Sequence, residues 1–440
     1  MKNRILALIL AVFTMISLSG CEAITFNVIE LMSPPKATGD KAEIQKLIDA
    51  EAGTGHTLKY PQNGSYRSAI TTMDIDADET EEAVAFYLPA GEAQTIHLLI
   101  MDIVDGVWTA VGNHVSKSST VDRLDFADLD GDGTYEIVVG WGTYNTLIND
   151  LCIYITENGK SREILSHNTY SSLLCDDFSG NNKDELLLLS LYTTDKPASA
   201  MLVSLNDTRN SVYVMDSVDI DADVTSFAQI LSGDIFEGQF GVVLDGITTA
   251  GAYSTQFVYF DNFSEKLCKV SFTEDKPTNQ ATRNYSVLSE DIDDDGIIEI
   301  PNAFKMNMED TQTDAVPAAL IYWCEYTNTG KLTVDDTTAA SLVYGFYFSV
   351  PDSWGEDYTA YVNYSTNEVI FYEWTEKGTL GETLLIIKMF TKETWDDGVS
   401  SAGYTEITRN DSYVYSFITP ESNSSKLLTN EEIINSFRLA

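Results

Sequence analysis

Four segments of the chain place acidic or polar side chains on alternate positions. They are Asp74, Asp76, Asp78 and Glu82; Asp128, Asp130, Asp132 and Glu136; Asp177, Ser179, Asn181 and Glu185; and Asp291, Asp293, Asp295 and Glu299. Each fits D-x-[DS]-x-[DN]-x-x-x-E and runs into apolar residues. A hard dication takes six to eight oxygens at about 2.3–2.6 Å, and a tightly turning loop can aim positions 1, 3 and 5 at one point. The chemistry expected is calcium binding, with the ion stiffening the turn and performing no reaction. In the second segment the Thr134 backbone carbonyl would add a ligand and Glu136 would close the site, and Ile297 and Glu299 would do the same in the last. Gly133 and Gly296 suit the sharp turn, whereas the first segment has Glu79 there. The third segment carries Lys183 inside its loop. The bland alternative for all four is a set of Asx-turns bonding their own backbone without metal.

An EF-hand is rejected on two counts. It needs a bidentate glutamate at position 12, where the second and last segments have Val139 and Asn302. It also needs flanking helices, whereas "EIVVGW" reads as strand. Asp125, in the same acidic stretch but outside the ligand spacing, is expected to face solvent.

The elements that hold these loops follow from their recurrence. A fifth, decayed copy, "SGDIFEGQFGVVLDG", keeps Asp234 and Gly238 but has Phe236 at a ligand position and is expected to be metal-free. The copies begin at 74, 128, 177, 234 and 291, a period of 49–57 residues. Each period reads as a strand into the loop, an apolar strand out of it, and two more strands often joined by a turn. Four strands in about 50 residues is the size of a β-propeller blade. The apolar strand would lose alternation because neighbouring blades cover both its faces. Five periods over residues 58–338 predict a mainly β chain: about five propeller blades, followed by a small α+β domain. Separate calcium modules or a two-sheet sandwich would carry the same repeat. The loops resemble the FG-GAP/VCBS repeats of α-integrin-type propellers and bacterial surface proteins. That resemblance implies calcium in the loop between the first two strands of a blade.

The chain ends add an address and a second unit. Residues 1–20 read as a signal peptide: a basic start, an apolar stretch too short to span as a helix, and "LSGC" at 18–21. That ending resembles the lipobox of bacterial lipoproteins, which implies lipid on Cys21, a membrane anchor through that lipid and an extracytoplasmic location. Residues 21–57 read as a tether and one short helix. Asp40 and Glu43 would form a capping pair, Ile44, Leu47 and Ile48 an apolar face docking on the propeller, and Gly53 a stop. Residues 339–440 read as an antiparallel sheet with a terminal helix, capped by Thr429 and Glu432 and facing inward through Ile433, Ile434 and Phe437. The opening, a strand followed by "VPDSW", resembles lipoprotein-associated PsbP-like domains, which implies binding to or assembly with other proteins. Tyr358, Tyr361, Tyr364 and Tyr372 could line a ligand surface there or simply pack as strand faces.

Composition narrows the partners. With 68 Asp+Glu against 26 Lys+Arg and a net charge of −42, the chain lacks the cation clusters that nucleic acid and anionic lipid require. Cys152, Cys175, Cys268 and Cys324 show no metal spacing and are expected as free thiols, although disulfides stay formally open. No G-x-S-x-G, H-E-x-x-H or Gly-rich phosphate loop occurs. The expectation is a non-enzymatic binding or adhesion scaffold for a protein or glycan ligand. Alternatives are an envelope assembly or folding factor acting through residues 339–440, and a propeller enzyme cleaving glycans with paired carboxylates.

Overall fold

The apolar runs that leave the acidic loops are strands: Glu82–Leu88, Glu136–Gly142, Glu185–Ser190, Gln239–Thr248 and Ile300–Lys305. Every residue of Glu136–Gly142 is buried, as both faces and both edges of that strand are occupied. The computed structural model describes residues 39–440 apart from 93, 145, 222, 237, 271–281, 310–314 and 328–330. The expected signal peptide and the expected lipidation site at Cys21 lie outside the described residues.

The architecture is mainly β, built from successive antiparallel sheets. The second sheet runs in chain order through Thr120–Ala127, Glu136–Gly142, Asn149–Glu157 and Lys160–Tyr170. The third repeats that meander through Ser172–Asp176, Glu185–Ser190, Ser199–Leu205 and Val212–Asp219. The first, fourth and fifth sheets are built on the same meander with one extra short strand each. In the first, Thr57–Lys59 and Ile70–Met73 lie end to end along one edge of Glu82–Leu88.

Neighbouring sheets bury their facing side chains together. Val84, Phe86 and Leu98 of the first meet Val121, Val139 and Trp141 of the second. Val138 and Ile153 of the second meet Leu186 and Val203 of the third, and Leu187 and Leu202 of the third meet Val242 and Val258 of the fourth. At about 25 cal/mol per Å² of apolar area, these shared faces are the main force ordering the array. The opposite face of the first sheet (Ala83, Ala85, Tyr87, Leu99, Met101) is covered by Ile44, Ile48 and Ala52 of the helix Asp40–Ala52. Among the described residues, the first and fifth sheets share no hydrophobic cluster.

Close approach explains one glycine. A Cβ on Gly140 would overlap the Tyr170 hydroxyl, which donates to Asp122 Oδ2 at 2.7 Å. Gly140→Ala is expected to cost about 1–3 kcal/mol as an overpacked core substitution. A urea midpoint unchanged from wild type would show that Tyr170 can move aside.

Several local expectations need correction. The helix Asp40–Ala52 starts at an N-cap Gly39 with no side-chain cap, so Asp40 and Glu43 make no capping pair, although Gly53 does end it. Asp125 does not face solvent: its carboxylate pairs with Arg123 Nε at 2.6 Å, with side chains only 13% and 18% exposed. Burial pushes the Asp125 carboxyl up, and Arg123 opposes this. Ile434 faces out, while Ile433 is buried and the Thr429–Glu432 capping box is formed. After the helix Asn430–Asn435, the strand Phe437–Leu439 pairs with Phe346–Ser349 and so belongs to the fifth sheet. Lys331–Ser341 and Phe346–Ser349 also belong there. The sixth sheet (Val316–Pro317, Tyr358–Asn363, Glu368–Trp374, Leu380–Phe390, Val414–Ile418, Thr405–Arg409) shares one core with the fifth, through Ala339, Phe346 and Phe348 against Trp354, Phe371 and Leu385. Tyr358 and Tyr361 are buried in strand packing, while Tyr364 is exposed.

Candidate metal centres

Each acidic loop is held in shape by its first aspartate. Asp128 Oδ1 accepts from the N–H groups of Gly131 and Asp132 at 2.7 and 3.1 Å, and its Oδ2 accepts from Gly133 at 3.0 Å. Asp291 does the same for Asp295 and Gly296 at 3.1 and 2.9 Å, and Asp177 for Asn181 and Asn182 at 2.9 and 2.8 Å. Two left-handed residues make the turn: Gly131 and Gly133, Gly180 and Asn182, Asp294 and Gly296, and in the first loop Ala77 and Glu79. Glu79 therefore takes the glycine conformation at φ 72°, a strain of about 1–2 kcal/mol that the first loop carries. The decayed fourth copy closes instead as a hairpin in which Phe236 pairs with Gln239.

Loops of neighbouring sheets are stitched by backbone bonds. Tyr135 N–H donates to Ile75 O at 2.8 Å, Asp184 N–H to Asp128 O at 2.8 Å and Ile298 N–H to Asp234 O at 3.1 Å.

The closing glutamates separate the four loops. Each is buried, and three accept through Oε2 from the N–H of loop position 2, Ile75 to Glu82 at 2.6 Å, Leu129 to Glu136 at 2.9 Å and Ile292 to Glu299 at 2.7 Å, whereas Glu185 Oε2 accepts from position 3, Ser179, at 3.1 Å. Their Oε1 atoms meet different fates. In the third loop, Glu185 Oε1 accepts from Ser179 Oγ at 2.7 Å and Asn181 Nδ2 at 3.1 Å. In the second, Glu136 Oε1 meets Arg209 Nη2 at 2.8 Å. In the first and fifth, Glu82 Oε1 and Glu299 Oε1 are buried without a hydrogen-bond partner among the described residues. An unpaired buried carboxylate oxygen costs several kcal/mol of desolvation, and a dication at the loop centre would remove that cost.

The acids of the first and fifth loops also converge. Asp74, Asp76 and Asp78 can bring ligand atoms within 4.8 Å of one another, as can Asp291, Asp293 and Asp295, and Asp295, Glu299 and Glu325. Asp128, Asp130 and Glu136 converge likewise, but a guanidinium already lies among them. Burial pushes Glu82 up to about 7, with Asp76 and Asp102 adding to the rise. Burial likewise lifts Glu299 to about 8, with Asp291, Asp293 and Asp295 adding, and Glu136 to about 7, where Arg209 opposes it. All three are carboxylates whose charged form lacks sufficient compensation. The first and fifth loops thus fit a cation, through Asp74, Asp76, Asp78 and Glu82 and through Asp291, Asp293, Asp295 and Glu299. In the second, the converging carboxylates are met by Arg209, which contacts Asp130, Asp132 and Glu136. Thr134 and Ile297 donate their N–H groups to Asp132 and Asp295 at 2.9 and 2.8 Å.

Sequence reasoning had no signal for Arg209, which lies in a turn of the third sheet 73 residues beyond Glu136. It also missed Glu325, on the strand Ala319–Thr327. No disulfide joins Cys152, Cys175, Cys268 and Cys324 among the described residues; Cys324 is buried and the others are half-buried.

At the other end of the second and third sheets, a cleft of about 600 Å³ is lined by Leu147, Ile148, His167, Tyr170, Leu191 and Tyr192 among others. Leu147 and Ile148 are exposed by more than half at its rim.

No family model and no curated protein matches the chain. Solved structures show distant likeness. A Lactobacillus plantarum protein is 10% identical over 72% of this chain and 84% of its own, with a TM-score of 0.29. Saccharomyces cerevisiae Sqt1 is 8% identical over 78% and 93%, with a TM-score of 0.30. A Bacteroides uniformis protein provisionally assigned as a 6-phosphogluconolactonase is 10% identical over 70% and 82%, with a TM-score of 0.26. The last of these overturns one expectation. Since a protein with this likeness is assigned as an enzyme, the absence of familiar catalytic motifs does not make this chain a non-enzyme, and that exclusion is withdrawn.

Proposed function

We infer that the chain is a lipid-anchored extracytoplasmic binding protein, a propeller-type array of five blades whose first and fifth loops are stiffened by calcium. The observation that carries the binding role is the cleft between the second and third sheets. Its exposed rim of Leu147, Ile148 and Tyr192 lies at the end of those sheets away from the acidic loops. Concave sites of 300–1,000 Å³ with aromatic and aliphatic linings and a few polar groups suit small or extended ligands. His167, Asn168, Thr169 and Thr193 supply the polar groups here. A glycan or a peptide segment of a partner protein is the ligand class proposed, with lipid at Cys21 holding the array at the membrane. Action through residues 339–440 alone is not taken up, since their core is continuous with the fifth sheet.

The test is a binding screen of the purified protein against glycans and envelope protein fractions, with calcium and with chelator. A retained ligand should lose at least tenfold in affinity in Leu147→Asp with Tyr192→Ala, as expected when a lining aromatic is truncated and a charge is placed on the apolar surface beside it. Equal retention by that variant would move the binding surface elsewhere.

A further inference from the structure

We propose that residues outside the loops decide which of them takes a metal: Arg209 is the built-in cation of the second loop, and Asp102 and Glu325 complete the first and the fifth. This rests on the reading of the first and fifth loops as cation sites.

The guanidinium of Arg209 sits where the dication would. Its Nε lies 2.7 Å from Asp130 Oδ2, Nη1 3.2 Å from Asp132 Oδ2 and Nη2 2.8 Å from Glu136 Oε1. Nη1 is also 3.7 Å from Glu157. Three of the four acidic positions of the loop thus converge on one side chain, and the fourth, Asp128, is occupied by backbone N–H groups. The planar fork of arginine meets several carboxylates at fixed angles, which a flexible ammonium does less well. The turn that delivers Arg209 is itself built: Asn206 Oδ1 accepts from the N–H groups of Asn210 and Ser211 at 3.0 and 3.2 Å, and Arg209 adopts φ 52°.

The register of the sheets supplies a second, independent regularity. Ala83 pairs with Met101 and Ile300 with Cys324, so Asp102 and Glu325 stand across from the closing glutamates Glu82 and Glu299. Ile137 pairs with Tyr154 and Leu186 with Val203, so the residues across from Glu136 and Glu185 are Ile155 and Ser204. A carboxylate therefore stands directly across from the closing glutamate in the two sheets whose glutamate oxygen lacks a partner among the described residues, and Ile155 and Ser204 take that place in the other two; Glu157, two residues beyond Ile155, faces Arg209. Glu325 is already within ligand-sharing distance of Asp295 and Glu299. Further carboxylates raise affinity for a hard dication.

Calcium titration of the purified protein, followed calorimetrically and by terbium luminescence, tests this. The wild type is expected to bind two ions and Arg209→Ala three. Glu325→Gln and Asp102→Asn should each weaken one of the two wild-type ions roughly tenfold or more. Asp130→Asn, which alters a carboxylate assigned to arginine, should leave two ions bound, and Arg209→Lys should also bind two. Should Arg209→Ala fail to fold, the Asp130→Asn titration still decides: loss of an ion there overturns the assignment. Three ions in the wild type, or two in folded Arg209→Ala, would overturn it as well. A wild type that binds calcium with unchanged affinity in Glu325→Gln and Asp102→Asn removes the role of the outer acids and leaves the calcium reading intact. A wild type that binds no ion removes both.

Discussion

Arg283→Ala is expected to lower stability by about 3–5 kcal/mol, the range for stripping one member from a buried ion pair. Arg283 Nη2 lies 3.0 Å from Asp245 Oδ1, with the two side chains 2% and 0% exposed. The guanidinium also donates to Val287 O and Thr255 Oγ1, both at 2.7 Å, and lies over the ring of Tyr253. Asp245 accepts in addition from Ser289 N–H at 2.7 Å, from Ser289 Oγ at 3.1 Å and from the Thr255 hydroxyl. Alanine leaves that carboxylate buried with neutral donors alone. The network joins the fourth sheet to the segment that enters the fifth loop, so the loss should appear in global urea unfolding followed by circular dichroism. Arg283→Lys keeps the charge but not the fork and should fall between the two. A loss under about 1 kcal/mol for alanine would mean that water reaches Asp245. Asp245→Asn should also be costly, because one side of the amide would turn N–H groups toward donors.

The second large effect is conditional. In chelator, Arg209→Ala is expected to cost about 3 kcal/mol, at the low end for a buried pair because the guanidinium is partly exposed. Glu136 is fully buried and would be left beside Asp130 with its main compensating charge gone. Its carboxyl, already pushed up to about 7, then rises further. The folded variant would bind a proton that the unfolded chain, with an ordinary glutamate, does not hold at neutral pH. Its stability must therefore fall as pH rises from about 5 through 7 and beyond, and recover on acidification toward 5. Calcium should restore part of the loss at neutral pH. Thermal melts at pH 5.5 and 7.5, with and without calcium, read all of this. A variant as stable as wild type in chelator at pH 7.5 would contradict the role given to Arg209.

Much of this was legible in the sequence. The alternate acids and the unbroken apolar runs located the loops and their second strands, since a closing glutamate and a doubly covered strand each leave a local pattern. The single apolar face of residues 44–48 foretold a docked helix. What stayed hidden depends on which strands become neighbours. Arg209 meets Glu136 through the packing of the third sheet on the second, and Glu325 meets Glu299 only through strand register. The pairing of Arg123 with Asp125 was readable, as residues two apart on a strand share a face. The strand Phe437–Leu439 was masked by a helical pattern that continues through it, and pairing with Phe346–Ser349 overrides that pattern.

The cover on the first sheet has one more consequence. Ile44, Ile48 and Ala52 hide Ala83, Ala85, Tyr87, Leu99 and Met101. Lift the helix, by proteolysis or by an insertion that weakens its stop at Gly53, and the array presents a ready sheet face with nothing to cover it. A second molecule in the same condition offers the matching surface. The thirteen residues of that helix thus cover the face from which self-association would begin.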